Sequence, residues 1–335
     1  MKLVKLARHW DEGDVLALGQ SIPRLPSLQH VLSTMSEKLD CIYDGLIGRY
    51  RDRVPAVGQI LDAMVAAAII PTRDGIENDH VAFRTLGVPN LGIASLEKVF
   101  LQHGYERRDA YFFEKKKLDA FWYSPPEPRY PRIFISELRV GDLSEQSEKI
   151  IRSYTDDVTS DPVDQIDLND PAAVDQFLHS GLWRTPTLSD YQTLAEESEY
   201  AAWVIYNRYY LNHFTISVHN LPAPYHDINA FNDFLEGIPV KLNDSGGKIK
   251  ISPDKLLLQS SSVAEMVEAE FSDGEGGTVT EPIAGSYVEF AERKVLPEFA
   301  DLPANQVQRK HRRDGFEAGN ADKIFESTFS SQTNK

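Results

Sequence analysis

The 335 residues contain a single cysteine, Cys41, so no disulfide can form within the chain. Cys41 falls in an apolar helical pattern with Leu39, Ile42 and Leu46, which predicts a buried structural thiol rather than a nucleophile. Long apolar runs are also lacking. The longest candidate, Ala63 to Ile70, stops at Pro71, well short of the roughly 18 residues a membrane span needs. The opening, Met1 to His9, is too short and too interrupted for a signal peptide, so the expected location is the cytoplasm. Basic residues are outnumbered, 35 against 51 acidic, for a formal charge of −16. That balance argues against a broad phosphate-binding surface and hence against a nucleic-acid partner. The one basic run, Arg309 to Arg313, reads as a solvated or subunit-contacting face, and homo-oligomerisation stays open.

What is present is a chain of ordinary globular composition, 41% hydrophobic and 26% charged, long enough for one large or two fused domains. Residues 1–75 read as a helical region, with Leu28, Val31, Leu32 and Met35 at three- and four-residue spacing. From Asp79 the period changes to two. A strand to Leu86 is followed by a helix from Leu96 to His103, two aromatic strands (Ala110 to Glu114, Leu118 to Tyr123) and a strand from Arg132 to Val140. This is a β-α-β-β-β order across 76–142. Residues 143–206 are helical in pattern, strongest as one helix from Thr187 to Asn207. Period two returns at Asn212, and across 207–293 the order repeats: a strand at His213, a helix from Asp227 to Leu235, then strands at Leu256 to Ser261, Glu265 to Phe271 and Ser286 to Glu292. A C-terminal tail, 294–335, remains. Two such modules with added helical segments predict an α+β fold of vicinal oxygen chelate type, in which two sheets enclose a metal cavity.

Three residues carry the chemistry. His80 lies on the first strand of the first module, His213 on the first strand of the second, and Glu289 on the last strand of the second. On each strand the opposite face is apolar: Val81 and Phe83, Phe214 and Ile216, Val288 and Phe290. Two imidazoles and a carboxylate meeting in a cavity form the facial triad that holds Fe(II) and leaves positions open for substrate and dioxygen. Arg84 shares its face with His80, about 13 Å further along the strand. It could grip a substrate carboxylate through a bidentate pair or form a structural salt bridge. Glu137 is read as the counterpart of Glu289 in the first module, a fourth ligand or pocket acid. Gln259 and Ser261 are weaker candidates for the cavity wall, as are His219 and His226. His9, His30, His103, His179 and His311 are read as surface or capping residues. Gly274 to Gly277 is a loop between strands and not a phosphate cradle, since no helix with Lys-Ser/Thr follows.

At these residues the sequence resembles the 2-oxoadipate dioxygenase/decarboxylase (hydroxyglutarate synthase) family. The segments that carry the likeness are Asp79-His80-Val81-Ala82-Phe83-Arg84-Thr85, Asn212-His213-Phe214-Thr215, Gly285 to Arg293, and Arg312-Arg313-Asp314-Gly315-Phe316-Glu317. The resemblance implies iron ligands at His80, His213 and Glu289, substrate-carboxylate binding at Arg84, and conversion of 2-oxoadipate and O2 into 2-hydroxyglutarate and CO2 in lysine breakdown. The chain looks like a compact member without the longer C-terminal portion of others. Two rival readings are a metal-dependent glyoxalase-like lyase or isomerase, with Glu137 as fourth ligand and no need of oxygen, and a non-catalytic protein of the same fold that binds a small acid.

Overall fold

The computed structural model describes residues 28–335, with side chains from Ser36 onward. His9 and the side chain of His30 therefore lie outside the described residues. Residues Lys38–Lys335 form one compact unit.

In chain order the elements are α1 (Leu28–Arg53) and α2 (Pro55–Ala66), then β1 (Asn78–Leu86), α3 (Ile93–Gln102), β2 (Glu106–Phe113), β3 (Leu118–Ser124) and β4 (Arg132–Leu138). Four helices follow: α4 (Glu145–Thr155), α5 (Pro171–Leu178), α6 (Leu188–Glu197) and α7 (Glu199–Asn207). The second module comprises β5 (His213–Ser217), α8 (Ile228–Glu236), β6 (Lys250–Ile251), β7 (Leu257–Ser261), a hairpin of β8 (Met266–Ser272) and β9 (Thr278–Ala284), and β10 (Tyr287–Arg293). Two short helices, α9 (Ala318–Ile324) and α10 (Ser330–Thr333), close the chain.

Eight strands form one sheet in the order β2-β3-β4-β1-β5-β10-β7-β6. Within each half the first and last strands are parallel neighbours, β1 with β4 and β5 with β10, and the halves join through the antiparallel pair β1–β5. The fold is thus the α+β arrangement of two β-α-β-β-β modules. One face of the sheet is apolar and packs on helices: Phe83 against Phe100 of α3, with ring centroids 5.5 Å apart, and Phe290 against Phe231 of α8 at 5.4 Å. The other face carries His80, His213 and Glu289.

Several local expectations are corrected. Glu265 to Phe271 does not join the sheet. Strand β8 pairs only with β9, and the place of the module's second strand is taken by the two-residue β6. The helix read from Thr187 to Asn207 is two helices, because the Ser198 side chain accepts from the Ala201 amide and caps α7 at a point where a continuous helix would pass. Cys41 is exposed, since the buried stripe of α1 runs through Leu39, Ile42, Leu46 and Tyr50, and position 41 falls beside it. The basic run is not simply a solvated face. Arg309 donates to the Pro128 and Tyr130 carbonyls at 2.7 and 2.6 Å, and Arg312 to the Arg293 carbonyl at 2.8 Å.

Candidate metal centre

Three adjacent strands present the site. Because β10 pairs with β5 in the register Tyr287↔His213 and Glu289↔Thr215, Glu289 comes to lie beside His213 on the same face. The β1–β5 register, Ala82↔His213, brings His80 to the same spot from the other module. His213 Nε2 is 3.1 Å and His80 Nε2 3.4 Å from Glu289 Oε2, and one ligand atom from each residue lies within 4.8 Å of the others. Two ligands at right angles, each about 2.1 Å from an ion, stand about 3.0 Å apart, and the separations of Glu289 from the two histidines are close to that spacing. All three side chains are buried. The group can hold a metal.

The surroundings fix the donors. His80 Nδ1 donates to Asp79 Oδ1 at 2.9 Å, and His213 Nδ1 to Asn212 Oδ1 at 3.0 Å. With Nδ1 carrying the proton, each Nε2 is left as the lone-pair donor. Asp79 is itself held by Arg293 at 2.7 and 2.9 Å and by Arg132 at 3.3 Å. Burial would raise the Asp79 pKa, but the two guanidinium groups outweigh it and hold the carboxyl well below its usual range. Glu289 behaves alike: burial opposes its charge, and His80 and His213 more than restore it. Its Oε1 accepts from Gln259 Nε2 at 2.6 Å, and Gln259 Oε1 accepts from Asn320 Nδ2 of α9 at 2.9 Å. Burial lowers the His213 pKa, keeping that imidazole neutral. For His80, burial acts in the same sense but Glu289 and Asp79 overcome it.

Arg84 is buried on the same face and has no carboxylate partner among the described residues. Its Nη1 donates to Thr328 Oγ1 at 2.8 Å and its Nη2 to the Phe325 carbonyl at 3.0 Å, while Nε is without a partner, as is the buried Tyr287 hydroxyl. Among the described residues the salt-bridge alternative finds no acid within ion-pair distance. Arg84 does not line the small cavity at the triad, which is walled by Phe134, Tyr287, Phe316, Ile324 and Phe325 besides the triad and Gln259. Only about 20 Å³ there is open to a water-sized molecule. Ser261 pairs across the sheet with Glu289, and its hydroxyl meets Ser327 at 2.9 Å.

Glu137 is corrected. Its register partner is Thr85, which places it on the opposite face from His80 and Arg84, where its Oε2 accepts from the Ile93 amide at the start of α3 at 2.8 Å. The true counterpart of Glu289 is Phe134: Ala82↔Phe134 repeats Thr215↔Glu289, two residues past each histidine. The first module thus supplies one donor and the second two. His219 sits at the far end of β5 and His226 in the loop before α8; neither joins the triad. His103 and His179 are the C-cap residues of α3 and α5, and His311 Nδ1 accepts from the Gln308 amide.

Sequence reasoning missed Asp79, Asn212, Thr215, Tyr287, Phe316 and Asn320. Thr215 Oγ1 is 3.0 Å from His80 Nε2, and Tyr287 stacks on His213 with ring centroids 4.7 Å apart. Two signals were available. An acid or amide directly precedes each histidine, and Phe316 lies in a segment already singled out.

The fold and the three converging donors define a protein with a candidate metal site on a sheet of vicinal oxygen chelate type. The comparisons with known proteins narrow this. Residues 42–302 match the family model described as 2-oxoadipate dioxygenase/decarboxylase, and the chain belongs to that family. It is 45% identical over 268 residues to the chloroplastic 2-oxoadipate dioxygenase/decarboxylase of Arabidopsis thaliana, covering 77% of this chain and 69% of that protein. It is 46% identical over 295 residues to the chloroplastic/amyloplastic counterpart of Oryza sativa, covering 84% and 76%. The crystal structure of hydroxyglutarate synthase from Oryza sativa in complex with 2-oxoadipate superimposes with a TM-score of 0.80 at 42% identity, over 95% of this chain and 100% of that one. These relatives correct the expected cytoplasmic location: both plant proteins are plastid-designated, which points to a plastid. That expectation rested on finding neither a secretory signal nor a membrane-length apolar run, and neither observation distinguishes one aqueous compartment from another. Among the described residues no helix is long and apolar enough to cross a membrane.

Proposed function

We propose that this chain is an Fe(II)-dependent enzyme that converts 2-oxoadipate and O2 into 2-hydroxyglutarate and CO2. The observation that carries the reading is the convergence of His80, His213 and Glu289, with each outer donor atom already engaged, in a member of this family. When bound, Fe(II) supplies Lewis acidity toward the 2-oxo acid and the electrons for dioxygen chemistry. Everything else falls to the protein. Asp79 and Asn212 hold the imidazoles in the tautomer that presents Nε2, and Gln259 aims the Glu289 carboxylate. Arg84, a buried cation without an acid, takes the substrate carboxylate remote from the keto group, with the orphaned Tyr287 hydroxyl close to that end as a second donor. Phe134, Phe316, Ile324 and Phe325 keep water from the reacting atoms. A cavity of about 20 Å³ cannot admit a six-carbon diacid, so the side chains that wall it shift as substrate enters.

The lyase or isomerase reading needs a fourth protein donor, and Glu137 faces the wrong side of the sheet while Phe134 occupies the equivalent position. The test is metal analysis with turnover across a panel of 2-oxo acids. The expected result is one Fe(II) per chain and highest kcat/KM for the six-carbon diacid. Equal turnover with Zn(II) in place of iron would refute it.

A further inference from the structure

A second charged cavity, of about 340 Å³, lies behind Asp79, on the side away from the triad's donor atoms. Its walls include Arg132 and Arg293 from the ends of β4 and β10, Arg309 and Arg312 from the basic run, and His219 and Glu77. Arg132 and Arg293 are buried and balanced by Asp79 and Asp314, although Arg132 Nη2 is without a partner. Arg309 and Arg312 differ. Among the described residues neither has a carboxylate within ion-pair distance; both are tied only to backbone carbonyls, and Arg309 Nη2 is also without a partner. Glu77, the acid in the wall, is occupied by Asn220 at 2.6 Å.

A chain of net charge −16 has acids to spare, yet here it gathers guanidinium groups around a cavity whose wall holds one acid, Glu77, and leaves a guanidinium nitrogen of Arg132 and one of Arg309 without a hydrogen-bond partner. Guanidinium N–H groups shut off from solvent without an acceptor are unfavourable, and planar forks converging on one space match an oxyanion that accepts from several at once.

We propose that this cavity is a binding site for a small multivalent oxyanion, a phosphate or a dicarboxylate, separate from the metal centre. A bound anion there shares Arg132 and Arg293 with Asp79, and Asp79 orients His80. The site is therefore one ion pair removed from a metal-ligand candidate, although the proposal stands whether or not the metal is iron.

The test is calorimetric titration of the metal-loaded full-length protein at constant ionic strength, with inorganic phosphate in one series and glutarate in another. Saturable binding of one equivalent, at about 1 mM or tighter, is expected for at least one of them, and the tighter of the two identifies the anion chemistry. Arg312→Gln should weaken that binding about 10-fold or more through loss of a charge-assisted contact, with Arg312→Lys intermediate; Arg309→Gln should act in the same direction. No saturable binding of either anion to the wild-type protein would overturn the proposal. So would binding undiminished in Arg312→Gln. Glutarate binding lost in Arg84→Ala but kept in Arg312→Gln belongs to the metal centre and also counts against it.

Discussion

Replacing Arg84 separates substrate recognition from metal binding and from stability in one experiment. The guanidinium is 1% exposed, makes two hydrogen bonds, to Thr328 and the Phe325 carbonyl, and has no acid partner among the described residues. In Arg84→Met two hydrogen bonds are lost, but so is a buried cation that meets the Tyr200, Trp203 and Phe325 rings and the more distant Glu199. These effects oppose each other, and the net change in stability is expected within about 1–2 kcal/mol. Iron content should be unchanged, because no donor of the triad touches Arg84. Substrate handling should collapse: truncating one partner of a buried charge pair costs about 2–5 kcal/mol, which at about 1.4 kcal/mol per decade is roughly 30- to several-thousand-fold in kcat/KM. Arg84→Lys should recover little, since an ammonium cannot bond Thr328, Phe325 and a carboxylate with one planar fork. Melting temperature, iron content and kcat/KM on the same preparation check all three. A folded, iron-replete Arg84→Met protein with normal kcat/KM would refute the assignment, and a large loss of stability with intact kinetics would make Arg84 a structural residue.

Other perturbations have equally definite outcomes. Asp79→Asn should lower metal affinity about 10- to 100-fold by weakening the support of His80 and destabilise the fold by about 3–5 kcal/mol by leaving the buried Arg293 without its anion, Arg132 keeping Asp314; metal titration and thermal melting check it, and unchanged affinity would remove Asp79 from the site. His80→Ala, His213→Ala and Glu289→Ala should each abolish stoichiometric iron binding, as read by metal analysis, because three donors leave none to spare. His219 gives a pH dependence. Burial pushes its pKa down to about 4, whereas an unfolded histidine titrates near 6.5. Above that value neither state carries the proton; as pH falls toward 4 the unfolded chain takes it up and the folded one does not, so stability drops, by at most about 3 kcal/mol. Denaturant melts across that range should show a shallower slope for His219→Gln.

The triad was legible from strand alternation taken with the matching order of elements in the two modules, because a polar residue opposite Val81, Phe214 or Val288 had to face something other than the helix layer. Register was not legible. Glu137 and Glu289 look equivalent by position in their modules, yet only the β1–β4 pairing reveals that Glu137 is one residue out of phase with the site and that Phe134 fills the matching place. Strand β8 misled for a related reason: its alternation is that of a half-buried strand, and nothing local specifies whether such a strand pairs with the main sheet or with a hairpin partner. The C-terminal tail carried a likeness at Arg312 to Glu317 but pointed to no site residue, because its contributions are long-range. Phe316 packs edge-on against His80 with ring centroids 4.8 Å apart, and the Gly315 carbonyl accepts from Arg293 at 2.7 Å. Gly315 has φ +69°, and a Cβ there would meet the Trp122 ring at 3.4 Å, so the Asp314-Gly315-Phe316 turn needs glycine at that position.

The most direct test of an oxygen-dependent decarboxylase built on this triad is the stoichiometry of O2 consumed to CO2 released by the Fe(II)-loaded protein with 2-oxoadipate. One O2 per CO2 is expected, with no CO2 under anaerobic conditions and immediate onset when air is admitted. Full anaerobic release of CO2, or turnover of 2-oxoadipate without O2 uptake, would contradict it.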